Sequence, residues 1–247
     1  MFDRTLTPSD VLDGATDVEA LLAVYPKHFT VKGMFCARIV DMLGQAGWQE
    51  LAPKLQAAPR GSSYVAFKDY PQTDYTRLVM FTAVRLFPEL STTEAARRVA
   101  RDDFAAFARS NIGKVMVALV GDARTALMHL PEAYARIIGG ISLRADELDV
   151  RTVRISCDNY YGVYAYFLGQ LEGIVLSMGG KPRIYGRKLD AHTIQIDVNH
   201  GLGRKRCGGS EPLRRTCEAH SLPLRQIVAT AFGTHVARAQ GINPGAA

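Results

Sequence analysis

The sequence predicts an α+β fold, with a helical first half followed by a small antiparallel sheet crossed by one long glycine-containing helix. Three observations carry this. Up to Gly140, apolar residues recur at helical spacing between proline and glycine breaks. After that point the apolar residues become β-branched and alternate. Between the strand-like stretches, residues 164–178 read as an amphipathic helix, with Phe167, Leu168, Leu171, Ile174, Val175 and Met178 on one side, that stops at Gly179-Gly180.

Residues 1–24 read as a leader ending in a short helix. Asp17 caps it, Val18, Leu21, Leu22 and Val24 follow, and Tyr25-Pro26 ends it. Residues 33–47 form the first core helix, with Phe35, Ile39 and Met42 or Leu43 at helical spacing. A shorter helix follows, broken by Pro53 and by Ala58-Pro59-Arg60-Gly61. Residues 64–69 are extended and Tyr70-Pro71 is a turn. Asp74 then caps a helix with Leu78, Phe81 and Val84 inward, ending at Phe87-Pro88. Ser91 or Thr92 opens the next helix, with Glu94 in its first turn, and it runs to about 109. A third helix covers 115–130. A fourth follows Pro131, carries Tyr134 and ends at Gly139-Gly140.

In the second half, residues 148–157 read as one strand. Leu148 and Val150 share one phase, Val153 and Ile155 the other, and a bulge reconciles them. After the long helix, residues 183–187 and 193–198 make a hairpin through Leu189-Asp190-Ala191. Ile194, Ile196 and Val198 face one way, and the strand near Val153 joins this pair. The domain therefore spans 25–200, and 201–247 is a basic appendage with one helix at 223–235.

The chain has 247 residues, and 47% are hydrophobic, enough for a core without disulfide or metal staples. Its four cysteines, Cys36, Cys157, Cys207 and Cys217, show no paired spacing. The start lacks a basic segment leading into an apolar one, and the longest apolar run, 115–120, is too short to cross a bilayer. A cytoplasmic protein without a transmembrane segment is expected. The net charge of +6 gathers at Arg97, Arg98 and Arg101, at Arg183, Arg187 and Lys188, and at Arg204, Lys205, Arg206, Arg214 and Arg215. Such clusters are mostly solvated surface. Nucleic-acid binding through the C-terminal one is the reading they would support if they shared a face.

No phosphate loop, HExxH or GxSxG element is present, so the common kinases, dehydrogenases and hydrolases are not indicated, and no catalytic residue is assigned. Tyr160, Tyr161, Tyr164, Tyr166 and Phe167 crowd together and offer either core packing or a stacking surface. Gly169 and Gly173 let the long helix approach a neighbouring element, or a ligand, closely. Glu172 falls at the solvent edge of that helix. His200, Cys207, Cys217 and His220 are ligand types suited to zinc, but without a tight CxxC pair they make a weak site.

Several stretches resemble a family of uncharacterised proteins abundant in myxobacteria, the DUF2378 type. They are Phe29-Thr30-Val31-Lys32-Gly33-Met34-Phe35, Lys68-Asp69-Tyr70-Pro71, Asp74-Tyr75-Thr76-Arg77-Leu78, Leu130-Pro131-Glu132-Ala133-Tyr134 and Gly169-Gln170-Leu171-Glu172-Gly173. That resemblance implies no activity. The order of elements is also similar, remotely, to the haem-nitric-oxide/oxygen-binding (H-NOX) domain and to V4R and TRAPP-type domains. It implies haem as a candidate cofactor, with His129 near the position of the iron-ligating histidine. Of the tyrosine-serine-arginine signature that holds the haem propionates, only Ser156 falls in register. The expectation is a non-catalytic sensory or regulatory module that binds a small apolar ligand or cofactor. Its candidate residues are His129, Tyr160, Tyr161, Tyr164, Phe167, Gly169 and Gly173. The alternative is a protein-interaction or scaffold subunit, a homo-oligomer or the partner of a signalling protein. Nucleic-acid binding ranks behind both.

Overall fold

Two apolar cores, joined by one buried helix, organise the chain. A computed structural model describes residues 18–61, 63–109, 114, 117–118 and 120–201. The leader up to residue 17, the basic cluster at 204–215 and the expected helix at 223–235 lie outside the described residues.

The chain opens with α1 (Val18–Ala23), β1 (Thr30–Lys32) and α2 (Gly33–Leu51), then a short 3-10 turn at Ala52–Lys54. Next come β2 (Asp69–Pro71), α3 (Gln72–Leu86) and α4 (Thr92–Arg109). Two short helices follow, α5 (Ala123–Met128) and α6 (Leu130–Ile137), and then β3 (Ile138–Gly139). The second half is β4 (Ser142–Asp149), β5 (Thr152–Asp158), α7 (Tyr164–Ser177), β6 (Arg183–Lys188) and β7 (Ile194–Asn199). The fold is α+β, as the change of periodicity predicts.

The main sheet is antiparallel in the order β4-β5-β7-β6. Its centre pairs Val153 with Val198, Ile155 with Ile196 and Cys157 with Ile194, all fully buried. These residues alternate with polar ones, so one face is apolar and packs under α7. A second, very small sheet has the order β2-β1-β3. There Val31 pairs with both Tyr70 and Ile138. This small sheet ties the first core to the chain that enters the second.

The helix α7 is buried on nearly every side. Ala165 and Tyr166 belong to the first core, while Phe167, Leu168, Leu171, Ile174 and Val175 belong to the second. It is a central helix, where an amphipathic one was expected. The helix α4 lies along it and presents Ala95, Ala96, Val99 and Ala100 as a small-residue face. Gly169 and Gly173 meet that face. A Cβ on Gly169 would collide with the Arg97 carbonyl, and one on Gly173 would sit 2.7 Å from Cβ of Phe104. The glycines thus serve helix-to-helix packing. Arg97 and Glu172 form an ion pair across the same seam.

Several expectations are corrected. Residues 148–157 are two strands of a hairpin with Val150 and Arg151 at the turn, so the two apolar phases belong to different strands. Tyr70-Pro71 is part of β2. Asp74 does not cap its own helix. It is buried and accepts hydrogen bonds from the backbone N–H of Gln56 (2.9 Å) and Ala57 (2.8 Å), pinning the preceding loop. Val84 is exposed, and the inward face of α3 runs through Tyr75, Leu78, Val79 and Ala83. The helix expected at 115–130 is broken at Gly121. Its φ of 80° is left-handed, and Asp122 restarts the helix by accepting from Thr125 N–H at 2.8 Å.

Candidate functional site

Where the two cores meet, tyrosines gather. The hydroxyls of Tyr75 on α3 and Tyr166 on α7 lie 2.6 Å apart, and their rings meet edge to face at 6.0 Å. Beside them is a cavity of about 40 Å³, partly open to solvent. Its walls include Tyr25, Phe29, Gln72, Tyr134, Tyr160 and Tyr161, with Val79 and Phe167 behind. The volume is enough for about three water molecules.

Most of the wall hydroxyls are engaged. Tyr25 bonds Thr76 Oγ1 at 2.9 Å, Tyr134 donates to Gln170 Oε1, and Tyr160 donates to the Val163 carbonyl at 2.8 Å. Gln72 Oε1 is buried without a partner. Burial pushes the Tyr25 phenol up to about 12 and raises those of Tyr75, Tyr134, Tyr160 and Tyr166 as well. All five therefore stay neutral at physiological pH. Among the described residues no charged side chain lines the cavity. The nearest strongly perturbed acid is Asp103 on α4. Burial raises its carboxyl to about 6, against the opposing pull of Arg38, whose guanidinium lies 2.7 Å away. The site can stack, exclude water and exchange hydrogen bonds with a neutral guest. Its wall offers no general acid or base poised near pH 7.

The rim is aromatic as well. Tyr161 stacks on His192 with ring centroids 4.0 Å apart, and meets Phe29 edge to face at 5.5 Å. His192 is held in the β6–β7 turn by Asp190, which accepts from His192 N–H at 2.8 Å and Thr193 N–H at 2.7 Å.

Of the residues singled out from the sequence, Tyr160, Tyr161 and Phe167 line this cavity. Tyr164 does not. Its hydroxyl lies over Gly186 of β6, buried and unpartnered. Gly169 and Gly173 face α4, as described above. His129 joins α5 to α6, its N–H donating to Thr125 O at 3.1 Å and its carbonyl accepting from Ala133 N–H at 3.2 Å. It is half-buried and outside the cavity wall. His200 is buried, with Nδ1 2.9 Å from the Gly201 carbonyl. Its three suggested zinc partners, Cys207, Cys217 and His220, lie outside the described residues. Among the described residues no cluster of three metal-ligating side chains occurs. Sequence reasoning missed Tyr25, Phe29, Gln72, Tyr75 and Tyr134 as site residues. Three of them, Phe29, Tyr75 and Tyr134, stood in the stretches that carry the DUF2378 resemblance.

Residues 25–199 match the family of proteins of unknown function DUF2378. The chain belongs to this family. None of the curated proteins compared with it matches. Among solved structures, an H-NOX protein from S. oneidensis in its Fe(II)NO state is similar at 17% identity, with a TM-score of 0.55, over 68% of this chain and 97% of that one. An Fe(II) unliganded mutant H-NOX protein from K. algicida is similar at 12% identity, with a TM-score of 0.53, over 68% and 95%. This DUF2378 chain therefore shares the H-NOX fold.

The residues present do not fit a haem. A group as large as a haem needs a pocket on the order of several hundred Å³, far above the cavity here. His129 does not reach the wall, and no cation among the described residues lines it to meet two propionates. Arg154 and Ser156 lie on the face of β5 turned away from α7. Arg154 is paired there with Asp197 at 2.6 Å, and Ser156 accepts from Gln195 Nε2 at 3.3 Å.

Proposed function

We propose that this chain is a non-catalytic sensory module that seats a small, uncharged, largely apolar ligand at the tyrosine-walled cavity and its aromatic rim. One observation carries the reading: the walls come from both cores. Tyr75 belongs to the first core and Phe167 to the second, with Tyr134 and Tyr160 packed against the second. A guest touching both sides favours one arrangement of the two cores over others, and differential affinity of that kind is what lets a ligand act as a signal. The neutral, uncharged wall argues for holding a molecule rather than transforming it. No helix among the described residues is long and apolar enough to cross a membrane.

Native mass spectrometry of freshly purified protein, with an absorbance spectrum of the same sample, tests this. The expected result is extra mass from a small organic molecule, no Soret band, and bare mass in Ile141→Trp, which blocks the cavity because Ile141 is also part of its wall. Bare wild-type mass together with a stable dimer would replace the reading with that of an interaction subunit.

A further inference from the structure

We infer that the guest at the seam is a neutral molecule that enters with a hydroxyl group, placed between Gln72 and a spare tyrosine hydroxyl. The inference rests on the proposed function and deepens it. It comes from counting protons in the wall. Tyr75 and Tyr166 are both neutral phenols, so they hold two hydroxyl protons between them. Their mutual hydrogen bond uses one. Tyr25 and Thr76 likewise hold two and use one. The protons of Tyr134 and Tyr160 are spent on Gln170 Oε1 and the Val163 carbonyl. The wall is therefore left with hydroxyl protons that lack an acceptor. It also keeps one buried acceptor, Gln72 Oε1, that lacks a donor.

Buried polar groups are nearly always paired, and leaving one unpaired is costly. A hydroxyl donates once and accepts at the same atom, so a single guest atom answers both deficits. A hydrocarbon answers neither. A carboxylate brings acceptors only, and its charge would be desolvated with no cation in the wall. The cavity of about 40 Å³ admits the polar end, and the apolar body lies at the partly open rim against Phe29 and Tyr161.

Calorimetric titration of the full chain with phenol, toluene and benzoate tests this, because the three share one ring and differ in one group. Phenol is expected to bind at least tenfold more tightly than toluene, with benzoate not binding. In Gln72→Leu, the preference for phenol over toluene is expected to vanish. Equal affinities for phenol and toluene in the wild type would overturn the hydroxyl assignment and leave the proposed function standing. No binding of either would overturn both. Thermal melting of the ligand-free proteins gives an independent readout. Gln72→Leu should melt no lower than wild type, since it removes an unpaired acceptor; a lower melting temperature would mean that Oε1 is already satisfied by bound water, and would sink the assignment.

Discussion

Asp103 shows how one buried carboxyl gives the molecule a pH dependence of its own. It is 3% exposed on α4, and its ordinary value of 3.8 rises to about 6 because desolvation outweighs the attraction of Arg38. The folded chain therefore holds a proton there that the unfolded chain releases between about pH 4 and pH 6. Stability from this group is fully present below the unfolded value and is lost as pH rises through about 6. The size is on the order of 3 kcal/mol. Other carboxyls pull the opposite way; those of Glu147, Asp149 and Asp190 are lowered by their hydrogen bonds. The clean observable is therefore a difference between proteins. Urea unfolding of wild type and Asp103→Asn at pH 4.5 and pH 7.5 should show the variant gaining relative to wild type at the higher pH. An unchanged difference would mean that Arg38 fully neutralises the carboxylate.

Among the elements, the helices were the most legible, because their starts carry side-chain signals. Ser91 and Glu94 form the reciprocal cap their spacing suggests, with Glu94 N–H donating to Ser91 Oγ at 3.3 Å and Ser91 Oγ to the Glu94 carboxylate at 2.8 Å. Asp122 caps α5 by accepting from Thr125 N–H alone, and it was not singled out because an apolar run leading to Gly121 hides the break. Asp122→Ala should lower stability by about 1 kcal/mol, seen as a lower urea midpoint with an unchanged slope; no change would mean that water serves the α5 N-terminus equally well. The strands divide by burial. β7 is strictly alternating and could be read directly, whereas β4 is a largely exposed edge strand with four acidic or basic residues in its SLRADELD sequence and carries no apolar pattern. β1, β2 and β3 have two or three residues each, too few for any period to register. The site divides in the same way. Tyr160, Tyr161 and Phe167 are dense in sequence and were visible. Tyr25, the α3 residues Gln72 and Tyr75, and Tyr134 on α6 are far apart in sequence, and only the fold brings these three places together.

At the scale of the whole molecule, a shared fold leaves open what its centre holds. Here the seam between the two cores is filled by the chain's own rings. Tyr75 and Tyr166 tie α3 to α7 by a buried hydrogen bond at the edge of the first core, and Tyr160 packs on Phe167 of the second with centroids 5.5 Å apart. Admitting a porphyrin would require these rings to swing out and the Tyr75–Tyr166 bond to break. It would also need a wall without cations to accept two propionates. Close-packed interiors do not yield several hundred Å³ without losing contacts of that kind. Stoichiometric haemin added to purified protein should therefore give no saturable Soret shift, and His129→Ala should give the same spectrum as wild type. A one-to-one band that disappears in His129→Ala would show instead that the seam opens and that α5 and α6 rotate the imidazole into it. The tyrosine wall would then be a closed state of a haem site, and the hydroxyl guest would compete with haemin for the same space.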